Sequence, residues 1–133
     1  MGTFYAESEK VLVDTGSELT WIAAETMRKI GISPKKTGVL FQTADGRTMS
    51  REVGFAVIRA AGRFTIDEIV FALPGDLQIL GARTLQGLNL AVDPARKRLV
   101  AAGPLPAAAL AGPWTLVSRR KSEYNVQRYA TGA

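Results

Sequence analysis

The side chains in this protein that are able to move protons are few in kind. There is no His and no Cys, which removes disulfide scaffolds, thiol nucleophiles, zinc clusters and every triad built on histidine. General acid–base work falls to Asp, Glu, Lys or Tyr. One carboxylate stands out by its setting. Asp14 opens the turn-forming cluster Asp14-Thr15-Gly16-Ser17, directly after the apolar run Val11-Leu12-Val13. A second pattern is weaker. Ser33-Pro34-Lys35-Lys36 and Lys36-Thr37-Gly38 match strings that certain acyl-transfer enzymes place far apart and bring together in space. Here the two strings overlap in a chain too short for that fold, and they read as an exposed basic turn.

The elements that must position Asp14 are short and mostly extended. Val11-Leu12-Val13 reads as a buried strand that stops at the Asp14 turn. Ala23, Met27 and Ile30 fall at helical spacing with Gly31 after them, which predicts a short helix over Ala23 to Ile30. Val39 to Thr43 and Thr48 to Arg59 are strand-like, and Ala44-Asp45-Gly46-Arg47 between them is a hairpin signal. Further strands follow over Phe64 to Ile66 and Ile69 to Ala72, with a turn at Pro74-Gly75-Asp76. Leu77 to Leu80 runs into Gly81, a helical turn is predicted over Ala82 to Gly87, and a strand over Leu90 to Val92. Asp93-Pro94-Ala95-Arg96 suits a type I turn, with Lys97 to Ala101 closing a hairpin.

Composition bounds the rest. The chain has 133 residues, 47% of them apolar, enough for one packed domain and a tail. The predicted division is a domain over 1–103 and a Pro/Ala-rich linker with a basic, weakly ordered tail over 104–133. Net charge is +5, and between Trp114 and Ala133 four bases face one acid, so much of the excess sits in the tail. Arg119-Arg120-Lys121 lacks the interleaved aromatics of single-strand binders, so a nucleic-acid partner is not expected. The first ten residues show neither a secretory pattern nor a myristoylation signal, and prolines break the longest apolar stretch. The expectation is a cytoplasmic chain without a membrane span.

Three features fall in a fixed order: an apolar strand ending in Asp14-Thr15-Gly16-Ser17, a hairpin with a small glycine-containing tip, and Ile79-Leu80-Gly81 before a short helix. On these features, from Val11 to Val100, the chain resembles the retroviral-type aspartic proteases. The stretch from Val11 to Ile22 carries much of the likeness, and Ile79 to Val100 is similar to bacterial and archaeal retropepsin-like proteins. The resemblance implies an all-β, closed-barrel-like retropepsin fold with one or two short helices, assembling as a symmetric homodimer. It implies an aspartic endopeptidase acting on peptide or protein substrates, with no cofactor and no metal. Hydrolysis of this kind needs a base to activate water and an acid to protonate the product. In the well-known aspartic-protease dyad, two carboxylates about 3 Å apart share one proton and supply both roles. This chain has a single Asp-Thr-Gly, so the resemblance takes the second carboxylate from Asp14 of another copy.

By the same resemblance, Gly16 presents backbone N–H groups to the carboxylate and Thr15 makes a bond across the two subunits. Ser17 bonds the outer oxygen of Asp14, and Gly81 packs beneath the loop, where a side chain would collide. Ala44, Asp45, Gly46 and Arg47 form the flap over an extended peptide. Retroviral enzymes place Arg directly after the glycine equivalent to Gly81. Ala82 stands there and Arg83 follows, so no role transfers to Arg83. The alternative from another class is a non-catalytic dimerisation or peptide-binding domain of the same fold.

Overall fold

Strands are the commonest regular element among the described residues, because residues alternating in polarity along an extended backbone can bury one face of a sheet. In the computed structural model, which describes residues 1–105 and 107, the order begins with β1 (Thr3–Tyr5), a 3-10 turn (Ala6–Ser8), β2 (Leu12–Val13) and β3 (Thr20–Ala23). It continues with α1 (Ala24–Lys29), β4 (Lys36–Gln42), β5 (Thr48–Ala60), β6 (Arg63–Ala72) and β7 (Ile79–Leu80). Helix α2 (Ala82–Leu88) and the strands β8 (Leu90–Asp93) and β9 (Arg98–Ala101) close the described part. Met1–Gly103 forms one compact unit. The linker and basic tail expected over 104–133 fall almost wholly outside the described residues. Among the described residues no helix is long and apolar enough to cross a membrane.

Seven strands make one curled, half-barrel sheet in the order β1-β5-β6-β3-β7-β2, with β4 also paired to β5. The sheet is mixed: β1–β5, β3–β6 and β2–β7 are parallel, whereas β4–β5, β5–β6 and β3–β7 are antiparallel. A separate antiparallel hairpin joins β8 and β9. This is an all-β fold with short helices, as the sequence predicts.

The core follows from the alternation. In β5, Ala56, Ile58 and Ala60 point inward, whereas Phe55 and Arg59 face out. They meet Phe4, Ile22, Ile69, Phe71 and Leu80 from the other strands, and Met27, Leu85 and Leu88 from the helices. Each helix is short because it buries one narrow face. Helix α1 turns in Ala24 and Met27 and ends at Ile30 before Gly31; α2 turns in Thr84, Leu85 and Leu88 and ends at Asn89. Asn89 adopts φ of 53°, a left-handed C-cap that Asn tolerates.

The runs Phe64 to Ile66 and Ile69 to Ala72 are one continuous strand, because β6 pairs with β5 without a break from Arg63 to Val70; further elements also differ from expectation. Thr3–Tyr5 is a strand in a stretch that shows no strand pattern, because its order comes from parallel pairing to Val57, Ile58 and Arg59. Strand β2, expected to be buried, is open: Leu12 is 56% and Val13 41% exposed in the single chain. It stands at the end of the sheet path, with one paired neighbour and one free edge.

Candidate active site

Asp14 sits where the chain leaves the sheet. Leu12 and Val13 pair with Ile79 and Leu80, and the Asp14 backbone N–H still donates to Leu80 O at 3.1 Å. The next residues turn sharply. The Ser17 N–H donates to Asp14 O at 3.1 Å, and the Gly16 N–H donates to Asp14 Oδ1 at 2.8 Å. This second bond fixes the carboxylate by the backbone of its own loop. Asp14, Thr15 and Gly16 are exposed, so the acid group faces solvent.

Below the loop the structure is tightly filled. A Cβ placed on Gly81 would lie 2.4 Å from Leu19 O and 2.9 Å from Ser17 O, both of them backbone atoms. No real side chain tolerates such distances, so the residue under this loop has to be glycine. The Ala82 N–H donates to Ser17 O at 2.8 Å, and the Arg83 N–H donates to Glu18 O at 3.1 Å. The start of α2 therefore serves as the floor of the Asp14 loop.

A row of buried polar groups holds that floor. The Gly81 N–H donates to Thr20 Oγ1 at 2.9 Å, Thr20 and Thr84 join their hydroxyls at 2.6 Å, and Thr84 Oγ1 donates to Asp67 Oδ2 at 2.9 Å. Thr20 and Thr84 are both 0% exposed.

The family described as "gag-polyprotein putative aspartyl protease" matches residues 2–89. The chain belongs to this retropepsin-like aspartyl protease family. No curated protein and no solved structure matches it. The matched residues run from β1 to the C-cap of α2, and so include the Asp14 loop, the β4–β5 hairpin and Gly81.

Within this retropepsin-like domain, the residues singled out from the sequence fall into two groups. Asp14, Thr15, Gly16 and Ser17 come together with Gly81. Thr15 borders a cleft of about 530 Å3 with Ala82, Leu85, Gln86, Leu90 and Val92. The Ser17 hydroxyl differs from the expected arrangement: it donates to Leu19 O at 2.7 Å and not to Asp14. Leu19 O lies over Gly81, so Ser17 braces the floor contact.

The second group is Ala44, Asp45, Gly46 and Arg47, all exposed at the tip of the β4–β5 hairpin. Gly46 takes φ of 88°, which the turn requires and glycine permits. The Asp45 carboxylate accepts hydrogen bonds from the Thr43 hydroxyl and from Arg47 Nε, the latter at 2.9 Å. These bonds, Thr43 foremost, hold its carboxyl below the usual carboxylate range. Among the described residues no hydrogen bond joins this tip to the Asp14 loop. The link is apolar and lower down, where Phe41 of β4 meets Trp21 of β3 edge-on, with 5.1 Å between ring centroids.

Thr20, Thr84 and Asp67 escape sequence reading. Threonine in a strand or helix carries no polar signature, and these partners lie 64 and 17 positions apart.

Proposed function

We propose that the chain is one subunit of an aspartic endopeptidase whose active site is completed by Asp14 of a second, identical chain. The carrying observation is the exposed Asp14 loop, which rests on a filled backbone floor and stands beside a bare apolar edge. Leu12, Val13 and Val92 are 56%, 41% and 39% exposed, around the one Asp-Thr-Gly of the sequence. An apolar strand edge is costly to leave in water, and a two-fold partner covers the same patch on both copies at once.

In that dimer the two Asp14 carboxylates share a proton because like charges so close together do not both ionise. The ionised group takes a proton from a water held between them, and the water attacks the peptide carbonyl. The protonated group donates to the carbonyl oxygen as charge develops there, and the amine then leaves with a proton returned through the pair. The Gly16 N–H supports the carboxylate orientation. Thr15, exposed at the loop tip, bonds its counterpart across the axis. The hairpin tip at Ala44 to Arg47 acts as the flap that covers an extended peptide.

The test is cleavage of an unstructured protein at several values between about pH 4 and 7, since the pair acts only while it holds a single proton. Wild type is compared with Asp14→Asn at equal dimer concentration. The expected outcome is cleavage by wild type, inhibition by pepstatin-type compounds, and a loss of about 100- to 10,000-fold in Asp14→Asn. Dimers of both variants without cleavage by either would leave a peptide-binding module of the same fold.

A further inference from the structure

We infer that Asp67, outside the catalytic loop and far from it in sequence, is a positioning residue for Asp14, acting through a one-way chain of hydrogen bonds. The inference rests on the endopeptidase reading above. An ionised carboxylate only accepts, and a hydroxyl has a single proton to give. Thr84 donates to Asp67 Oδ2 at 2.9 Å, so its oxygen must accept in the 2.6 Å contact with Thr20. Thr20 therefore gives its proton to Thr84, and its oxygen is left free to accept the Gly81 N–H at 2.9 Å. The carboxylate at one end fixes the direction of both hydroxyl bonds, and the Gly81 N–H, which only donates, completes the row at the catalytic floor.

The surroundings leave no other arrangement. Thr20 and Thr84 are 0% exposed, so water cannot replace a missing partner. No buried side-chain nitrogen or oxygen among the described residues lacks one. Asp67 itself is fully used. Its Oδ1 accepts the Glu68 N–H at 2.7 Å, and its side chain is only 10% exposed beside Arg83. Both oxygens must be acceptors at once, which a carboxylate satisfies and an amide cannot.

Movement at Gly81 is transmitted directly. Its neighbours Leu80 and Ala82 bond Asp14 N and Ser17 O, and its α-carbon packs against Leu19 O. A floor that shifts by a fraction of an ångström turns the Asp14 carboxylate out of line with its counterpart, and misplacement of that size lowers rates steeply.

The experiment compares wild type, Asp67→Asn, Thr84→Val and Thr84→Ser as purified dimers on one peptide substrate. It measures kcat and KM and, by NMR, the hydrogen exchange of the Gly81 and Gly16 amides. Asp67→Asn and Thr84→Val are expected to lower kcat by roughly 10- to 100-fold with KM little changed, and to speed exchange at Gly81. Thr84→Ser, which keeps the hydroxyl, restores both. A merely structural role would lower thermal stability and leave kcat of the folded dimer intact; that result, or unchanged Gly81 exchange, overturns the proposal. If wild type itself does not cleave, the endopeptidase reading fails, and the Gly81 and Gly16 amides alone decide whether Asp67 orders the loop. Should Asp67→Asn not fold, Thr84→Val against Thr84→Ser carries the same comparison.

Discussion

The Asp14 loop and the β4–β5 hairpin tip are both turns that carry an exposed aspartate and a glycine, yet they are held in opposite ways. The Asp14 loop rests on atoms from distant parts of the chain: Leu80, Gly81 and Ala82 beneath it, and Thr20, Thr84 and Asp67 behind them. The hairpin tip is closed by Thr43, Asp45 and Arg47, partners two to four positions apart and exposed to water. Buried, long-range bonds make a site that cannot adapt. Local, solvated ones make a segment that folds by itself and stays free to move. The endopeptidase proposed above would need both: a fixed pair of acids and a cover that opens for each substrate.

The largest effect is expected from breaking the fixed side. In Gly81→Ala the new methyl meets the backbone at Leu19 and Ser17, which cannot swing aside as a side chain would. A loss of about 3 kcal/mol or more is expected, read by urea unfolding, along with loss of activity. A stable and active Gly81→Ala dimer would mean that the loop and floor are not the rigid unit described.

A middle effect belongs to the joint between the two regions. Arg51 of β5 pairs with Asp76 in the β6–β7 turn through two bonds of 2.7 and 2.8 Å, with both side chains only 14% exposed. This pair ties the base of the β4–β5 hairpin to the body. The Arg51 guanidinium is the main cause that holds the Asp76 carboxyl below its usual value of 3.8. A folded pKa below the unfolded one means stability that is fully present above about pH 4 and lost as pH falls through the lowered value. Asp76→Asn is therefore expected to cost about 1–2 kcal/mol at neutral pH. It should also flatten the decline in stability under acid, which thermal melts from neutral pH downward would reveal. An identical acid decline in both proteins would remove the pair from the account.

The smallest effect on stability is expected at the tip. Asp45→Ala removes the acceptor of the Thr43 and Arg47 bonds, but every group released there meets water. The thermal midpoint should not move, whereas KM for a peptide substrate should change if the tip closes over it. A large fall in the melting point would show that the tip is coupled to the core, against the contrast drawn here.

The parts of the fold legible in the sequence were those whose causes are local. The Asp45-Gly46 hairpin was readable because a positive φ at Gly46 and an aspartate that bonds its neighbours are properties of a few adjacent residues. Helices α1 and α2 were readable from apolar spacing and from Gly31 as a stop signal, and their observed limits lie within one residue of the predicted ones. Strand β1 was not, since its order comes from β5 across the sheet. The exposure of β2 was hidden for a similar reason: an apolar run has the same pattern whether it faces a core or a partner, and only its place at the sheet edge separates the two.

By itself, the sequence determined which chemistry was available. With no His or Cys, acid–base work was left to Asp, Glu, Lys or Tyr, and the one Asp-Thr-Gly-Ser after an apolar strand made Asp14 the candidate. Its likeness to a family told where Gly81 and the flap should fall. Tertiary structure alone decided what holds the carboxylate still. The Ser17 hydroxyl turned to Leu19, and Thr20, Thr84 and Asp67 lined up beneath Gly81 across separations of 61, 64 and 17 positions. A threonine has the same appearance in sequence whether its hydroxyl meets water or a buried carboxylate. The difference arises only when the sheet and α2 close around it and exclude the water.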